Sequence, residues 1–179
     1  MPSPLGHSLA SLLLRAPFEP KGWLLGRTSS AWWRSPFTAV ALGNLPDLDL
    51  IGSWLVSGHM ATYHHDFTHN IGLALAAGLM VALGASSEDR LLAGLWGFAL
   101  VALHSLLDAG VGPLLGGATL GVPALWPLTN QTYGLPWAFI QMLHFGPNAE
   151  IVSWANASAL LHETVLFGAP FALVLWLKK

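Results

Sequence analysis

Leu91 to Ala109 reads LLAGLWGFALVALHSLLDA: nineteen residues with no Lys, Arg or Glu, interrupted only near the end by His104, Ser105 and Asp108. As a helix it rises roughly 28 Å, close to the ~30 Å hydrocarbon thickness of a bilayer. The rest of the chain has the same character. It is 54% hydrophobic and 9% charged, with a mean hydropathy of +0.56, more apolar than an ordinary soluble domain. The apolar residues come in long blocks. The fold class expected is therefore all-α, a polytopic membrane helical bundle in one domain over residues 1–179. Nine tryptophans against two tyrosines suit interfacial anchoring, although Trp can equally be core. His104 and Asp108 are four residues apart and share a helix face. Ionisable groups inside an apolar helix are costly and usually functional. The pair can grip one metal ion or bridge two. The plainer alternative is a buried His hydrogen-bonded to its own Asp.

Upstream of this helix, Ser86-Ser87-Glu88-Asp89-Arg90 make a polar turn in which Ser87 is expected to cap the helix. Residues 70–85 are apolar or small, with Gly72, Gly78 and Gly84 six apart, a composition that lets helices approach closely. Before them, within 59–69, lies Tyr63-His64-His65-Asp66-Phe67-Thr68-His69, the densest cluster of potential metal ligands in the chain. Residues 36–58 are apolar but interrupted by Asn44, Pro46, Asp47 and Asp49. Pro46 disfavours helix at Leu45 and lacks a backbone donor, so a broken helix with carboxylates at the break is expected. Irregular backbone at membrane depth is tolerated where it lines a cavity. Residues 15–35 read as a basic, aromatic interfacial loop containing Arg15, Glu19, Pro20, Lys21, Trp23, Arg27, Trp32, Trp33 and Arg34. Residues 4–14 form a short helix carrying His7. At roughly 16 Å it is too short to span and would be half-inserted or packed. Downstream, the Gly/Pro-rich residues 110–150 suggest a re-entrant or surface loop. Residues 151–177 give a last long helix with His162 and Glu163. No internal repeat is visible.

The seven basic residues fall in three places: the 15–34 loop, Arg90, and Lys178-Lys179. If 36–58, 70–85, 91–109 and 151–177 each cross the membrane, those places share one side, which the positive-inside rule makes cytoplasmic. The eight histidines avoid all three, as do Asp47, Asp49, Asp66, Asp108, Glu150 and Glu163. Four spans, a cytoplasmic C-terminus and a site at mid-depth or toward the outer side are expected, in a multi-pass protein of the cell (inner) membrane. The first twenty residues lack a basic region ahead of an apolar run, so a cleaved signal peptide is not expected. No basic patch is available to meet phosphates of a nucleic acid. Nothing fixes an oligomer number. With no cysteine, any metal must be held by His, Asp or Glu, which favours zinc, with manganese or iron as alternatives.

Asp47 and Asp49 would point to nearly opposite faces of a regular helix, so only the break lets both turn inward. Asp49 is preferred as the ligand because it lies deeper in the apolar sequence. The alternative is a plain turn, since Asn, Pro and Asp are turn formers. His64 and His69 are five apart and do not align on one helix, which places one in the loop and the other on the first turn of the next helix. Some of this cluster should orient ligands, because a ligating His needs an acceptor to fix its tautomer. His7 needs a spatial partner. Of the neighbours His162 and Glu163 only one can face inward, and Glu163 is a candidate ligand or general base. His64 is the other candidate catalytic group, as well as a candidate ligand. His59, His144 and Glu150 read as ordinary loop residues.

In order, Gly6-His7, Leu45-Pro46-Asp47-Leu48-Asp49, His64 to His69 with Phe67-Thr68-His69, His104-Ser105-Leu106-Leu107-Asp108 and Gly121-Val122-Pro123-Ala124-Leu125-Trp126-Pro127 resemble the membrane-bound metal-dependent hydrolase family of the LexA-regulated YdjM type. That family looks distantly similar to the all-helical zinc-dependent phospholipase C and single-strand nuclease superfamily, with its multi-metal phosphoesterase site. The resemblance implies metal ligation by His7, an Asp of the Pro-Asp-x-Asp motif, His69, His104 and Asp108, with His64 close by. The chain departs from the family pattern at His65, Asp66 and Asn70, where the family usually has Arg, Gly and often Ser. Loss of that Arg removes a fork suited to phosphate.

Two functions compete. In the first, two or more divalent ions lower the pKa of a water and polarise a phosphoryl or acyl oxygen, in a hydrolase acting on a lipid or lipid-linked phosphate. The second is a non-catalytic metal-binding membrane protein or ion transporter, whose broken helix and histidines line a path. A hydrolase needs a shared cluster, whereas a conduit needs polar residues across the full thickness.

Overall fold

The computed structural model describes residues 1–19, 31–60, 62–144 and 152–178. Pro20, Lys21, Trp23 and Arg27 of the basic loop, together with Glu150 and Lys179, lie outside the described residues.

Helices dominate, and their starts are written in the sequence. Helix α1 (Pro4–Arg15) follows Ser3, whose hydroxyl accepts from the Gly6 amide at 3.0 Å. Helix α2 (Pro36–Gly43) repeats the device, with Ser35 accepting from Thr38. In both, proline occupies an early position where its missing N–H costs nothing. The chain then turns through Leu45, Pro46 and Asp47 into α3 (Leu48–Ser57), which ends on Gly58 at φ 75°. Helix α4 (Ile71–Gly84) is capped by Asn70, which accepts from Leu73 at 3.0 Å.

Helix α5 (Arg90–Asp108) is the long apolar helix. Ser87 does not cap it. The cap position is Asp89, which makes no side-chain capping bond; its carboxylate takes Ser86 Oγ at 3.3 Å instead. The final helix runs from Trp154 to Leu177, but not evenly: α6 (Trp154–Glu163) passes through a π turn (Thr164–Gly168) into α7 (Ala169–Leu177). Pro170 lacks the amide that would close a regular turn there, and a widened turn accommodates it.

Two helices, Arg90–Asp108 and Trp154–Leu177, are long and apolar enough to cross a membrane among the described residues. The other two expected crossings are shorter. The segment 36–58 divides at Pro46 into α2 and α3, and α4 has 14 residues, roughly 21 Å. The Gly/Pro-rich excursion after α5 is more than a loop. Two-residue strands β1 (Val111–Gly112) and β2 (Ile140–Gln141) pair in parallel, and Val122 bridges Tyr133.

Helices α4 and α5 pack so closely that a Cβ on Gly78 would lie 2.8 Å from the Gly94 carbonyl oxygen. Ala74, Ala77 and Val101 fill that seam. A second core joins Ala10, Leu107, Val111, Ile140 and Phe167 and ties α1 to the excursion and the last helix. Outward faces stay apolar: Leu75, Leu79, Leu83, Leu91, Leu173 and Trp176 are all exposed. In water that surface would be a liability; in a bilayer, lipid solvates it.

The two ends of the bundle differ. Where α4 ends and α5 begins, Trp32 Nε1 donates to the Gly84 carbonyl at 3.2 Å, Arg15 Nε meets Glu19 Oε1 at 3.1 Å, and Lys178 Nζ donates to the Pro17 carbonyl at 2.9 Å and to that of Glu19. At the opposite end of α5 lie His104 and Asp108.

Candidate metal centre

Five buried donor residues arrive from four segments. Helix α1 buries the face of Gly6, His7, Ala10 and Ser11, which turns His7 inward to stack on His104 with ring centroids 3.6 Å apart and planes 12° apart. The turn after Pro46 delivers Asp47, and the residue before the α4 cap delivers His69. Helix α5 delivers His104 and Asp108 one turn apart. His7, His69 and Asp108 are completely buried and His104 is 1% exposed.

Their atoms converge. Asp108 Oδ2 lies 3.1 Å from both His69 Nε2 and His104 Nε2, and those two nitrogens lie 3.1 Å from each other. Asp108 Oδ1 faces His7 Nε2 at 3.7 Å. Asp47 Oδ1 faces His104 Nε2 at 3.5 Å and His69 Nε2 at 3.7 Å. Neither carboxylate has a hydrogen-bond donor, and neither ring nitrogen of His7 has a partner.

The tautomers follow from the other side of each ring. His104 Nδ1 lies 2.7 Å from the Gly43 carbonyl oxygen, which can only accept, so Nδ1 carries the proton. Thr68 Oγ1 donates to Asp49 Oδ2 at 2.5 Å and can then accept from His69 Nδ1 at 2.9 Å. Both Nε2 atoms therefore present lone pairs to each other and to a carboxylate. Protonating both rings instead would press two cations together in a fully buried place. Either a proton on one ring, held by the Asp108 and Asp47 carboxylates, or a divalent cation bound by both nitrogens resolves the conflict. Two imidazole nitrogens bound at ~2.0–2.1 Å to one tetrahedral ion sit about 3.3 Å apart, near the spacing seen. The residues thus fit a nitrogen and oxygen metal site. His7 is completely buried with neither ring nitrogen partnered, a setting that disfavours the charged ring and leaves the imidazole placed to ligate.

A second set surrounds the first. Asp49 Oδ1 pairs with His64 Nδ1 at 2.8 Å, and its Oδ2 accepts from the His65 amide at 3.2 Å as well as from Thr68. Its oxygens are therefore engaged. The turn after Pro46 aims Asp47 at the His69 and His104 imidazoles, and places Asp49, preferred from the sequence, against His64 and the loop behind them. His64 comes within a centroid distance of 4.9 Å of His69, beside the cluster.

A family model described as YdjM inner membrane protein matches residues 3–179. The chain belongs to that family. No curated protein and no solved structure matches it. The family is one of the inner membrane, which agrees with the two long apolar helices and the apolar outer surface.

Glu163 is not brought into the cluster. Its carboxylate accepts from the Ser3 amide at 2.8 Å and from the Ser3 hydroxyl, and a Cβ on Gly6 would lie 2.6 Å from its Oε2. It anchors the start of α1, and thereby the turn that carries His7. His162 turns away and meets the Phe139 carbonyl at 3.0 Å. His59 lies exposed at the end of α3, and the His144 backbone is clasped by Asn156. Two residues of the histidine cluster that were given no individual role from the sequence contribute as well. Thr68 fixes the His69 tautomer, a role its adjacency to His69 alone does not reveal. His65 sends Nε2 to within 3.6 Å of Asp108 Oδ2.

Proposed function

We propose that this chain is a membrane-embedded, metal-dependent hydrolase of phosphoesterase type, acting on a lipid or lipid-linked substrate. The observation that carries the reading is the meeting of the His69, His104 and Asp108 donor atoms within 3.1 Å of one another. Bound divalent ions, zinc foremost, would supply Lewis acidity, lowering the pKa of water and polarising a phosphoryl oxygen.

The chain's own residues then have separate duties. His7, Asp47, His69, His104 and Asp108 hold the metal. Asp49 and Thr68 orient His69, and Asp49 orients His64, which stands close enough to move a proton at the reacting centre. A lipid fits the surroundings. An apolar groove of about 300 Å³, lined in part by Asn70, Ile71, Phe98, Ser105 and Ala109, includes the chain neighbours of His69, His104 and Asp108. In this reading the α2–α3 pair and the short α4 complete four crossings, with the bilayer thinned locally to meet α4. The C-terminus is cytoplasmic and the metal lies toward the outer side.

The test begins with metal content of the detergent-purified protein, wild type beside His104→Ala and Asp108→Ala. About two ions per chain, falling sharply in both variants, followed by metal-dependent release of phosphate or headgroup from phospholipid, supports the hydrolase. No bound metal after supplying zinc or manganese sinks it. Metal without turnover on any phosphoester lipid leaves a metal-binding protein, and ion flux is then the assay. Clustering of the donors at one end of α5, rather than along its length, weighs against a conduit.

A further inference from the structure

His65 is the least ordinary residue of the cluster. It is the one non-glycine residue with positive φ among the described residues, at 69°. Side chains rarely adopt that region, although His is among those that enter it most. The unusual backbone is held from outside: the His65 amide donates to Asp49 Oδ2, the same oxygen that takes the Thr68 hydroxyl. Its effect is to swing the ring toward Asp108. Nε2 is buried, has no hydrogen-bond partner, and lies 3.6 Å from Asp108 Oδ2, too far for a hydrogen bond. The ring lies against His64 and His69, with centroids 4.0 and 4.3 Å away. One donor atom from each of His64, His65 and His69 falls within 4.8 Å of the other two. His65 is 20% exposed, against none for His7, His69 and Asp108, so it stands at the mouth of the cluster.

We infer that His65 is a metal ligand, and that with the Asp108 carboxylate it contributes to a second, outer cation position beside the inner one made by His7, Asp47, His69 and His104. Asp108 suits the shared place, since Oδ1 faces His7 while Oδ2 faces His65, His69 and His104. Carboxylates commonly bridge paired ions about 3.5–4 Å apart. The outer position is the one a substrate or water reaches first, so the weaker, exchangeable ion belongs there. This inference rests on the metal-centre reading above, but it assigns a residue that reading does not need.

The experiment is calorimetric titration of zinc, and separately of cobalt with its visible spectrum recorded, into the metal-stripped full-length protein in lipid nanodiscs. Wild type is compared with His65→Gly and His65→Asn, both of which tolerate positive φ and so keep the backbone. The expected result is two binding events in wild type. The weaker shifts by about thirtyfold or more, or disappears, in both variants, while the tighter event and its cobalt bands persist. Two unchanged events in both variants overturn the assignment of His65 and leave the inner centre standing. A single event in wild type that neither variant alters overturns it as well. No event in wild type overturns the metal centre itself, and this inference with it.

Discussion

The Nε2 atoms of His69 and His104 face each other at 3.1 Å, while Nδ1 of each ring is committed elsewhere, to Thr68 Oγ1 and to the Gly43 carbonyl. Two lone pairs at that distance, with Asp108 Oδ2 beside both, would crowd a neutral cluster, and on the proposed reading a bound cation relieves the crowding. Metal should therefore stabilise the fold. At free zinc one hundredfold above its Kd, linkage gives about 2.7 kcal/mol for one site with no affinity for the unfolded chain. Thermal unfolding in detergent, chelated against zinc-supplied, should show a clear rise in Tm for wild type and none for His104→Ala. An equal rise in both would show that zinc acts elsewhere.

Orientation of the rings can be separated from ligation. Asp49 accepts from His64, Thr68 and the His65 amide, which engages both of its oxygens. Asp49→Asn and Thr68→Val should leave metal stoichiometry intact but weaken affinity about 10–100-fold, the usual effect of losing a ligand's hydrogen-bond partner. Asp47→Asn should weaken binding more, as a direct ligand does. A zinc titration ranks the three, and an Asp49 variant weaker than Asp47→Asn would restore Asp49 as the ligand.

How much of this could be read in advance varied with the physics. The shared face of His104 and Asp108 follows from a spacing of four in an apolar helix, and the break at Pro46 from a missing amide. The choice between Asp47 and Asp49 was not legible, because it depends on how three residues of irregular backbone turn after Pro46. Glu163 looked like a ligand because an acid in an apolar helix wants a partner. Its partner is the N-terminal turn of α1, 160 residues away, which no local pattern encodes. His65 depends on one left-handed backbone angle. The split of the last helix was signalled by Pro170, but Pro170 alone does not distinguish a kink from a π turn.

Glu163 should behave as an anchor. Glu163→Ala strands the Ser3 amide and hydroxyl in a buried place, a cost of about 1–3 kcal/mol. Metal stoichiometry should survive, measured at a temperature where the variant is folded. Loss of one ion from a folded variant would make Glu163 a ligand after all.

Gly43 is the joint between the scaffold and the centre. A Cβ there would lie 1.9 Å from Ser11 Oγ and 2.9 Å from Ser11 Cβ, while the Gly43 carbonyl holds His104 Nδ1. Gly43→Ala must push α1 and α2 apart, at about 1–3 kcal/mol for overpacking. It should also weaken zinc binding by moving both His7 and the His104 acceptor. Gly52, where an added Cβ meets nothing within 4 Å, is the control, and Gly52→Ala should leave zinc affinity unchanged and Tm level or slightly raised, since Ala favours the helix.

Orientation in the membrane is open to direct labelling because the chain has no cysteine, so each introduced thiol reports one site. Basic residues gather where α4 gives way to α5, and the histidines gather at the other end of α5. The positive-inside rule then predicts Glu88 and Lys178 in the cytoplasm and Thr62 and Leu128 outside. With a membrane-impermeant maleimide on intact spheroplasts, Thr62→Cys and Leu128→Cys should label at once, and Glu88→Cys and Lys178→Cys only after the membrane is broken. Leu128 is 88% exposed, so failure to label there cannot be put down to burial in the protein. The reverse pattern would place the metal centre on the cytoplasmic side, and the substrate would then have to be sought in the inner leaflet. Labelling of Thr62→Cys and Glu88→Cys from the same side would mean that α4, at roughly 21 Å, does not cross, leaving α5 and the last helix as the spans.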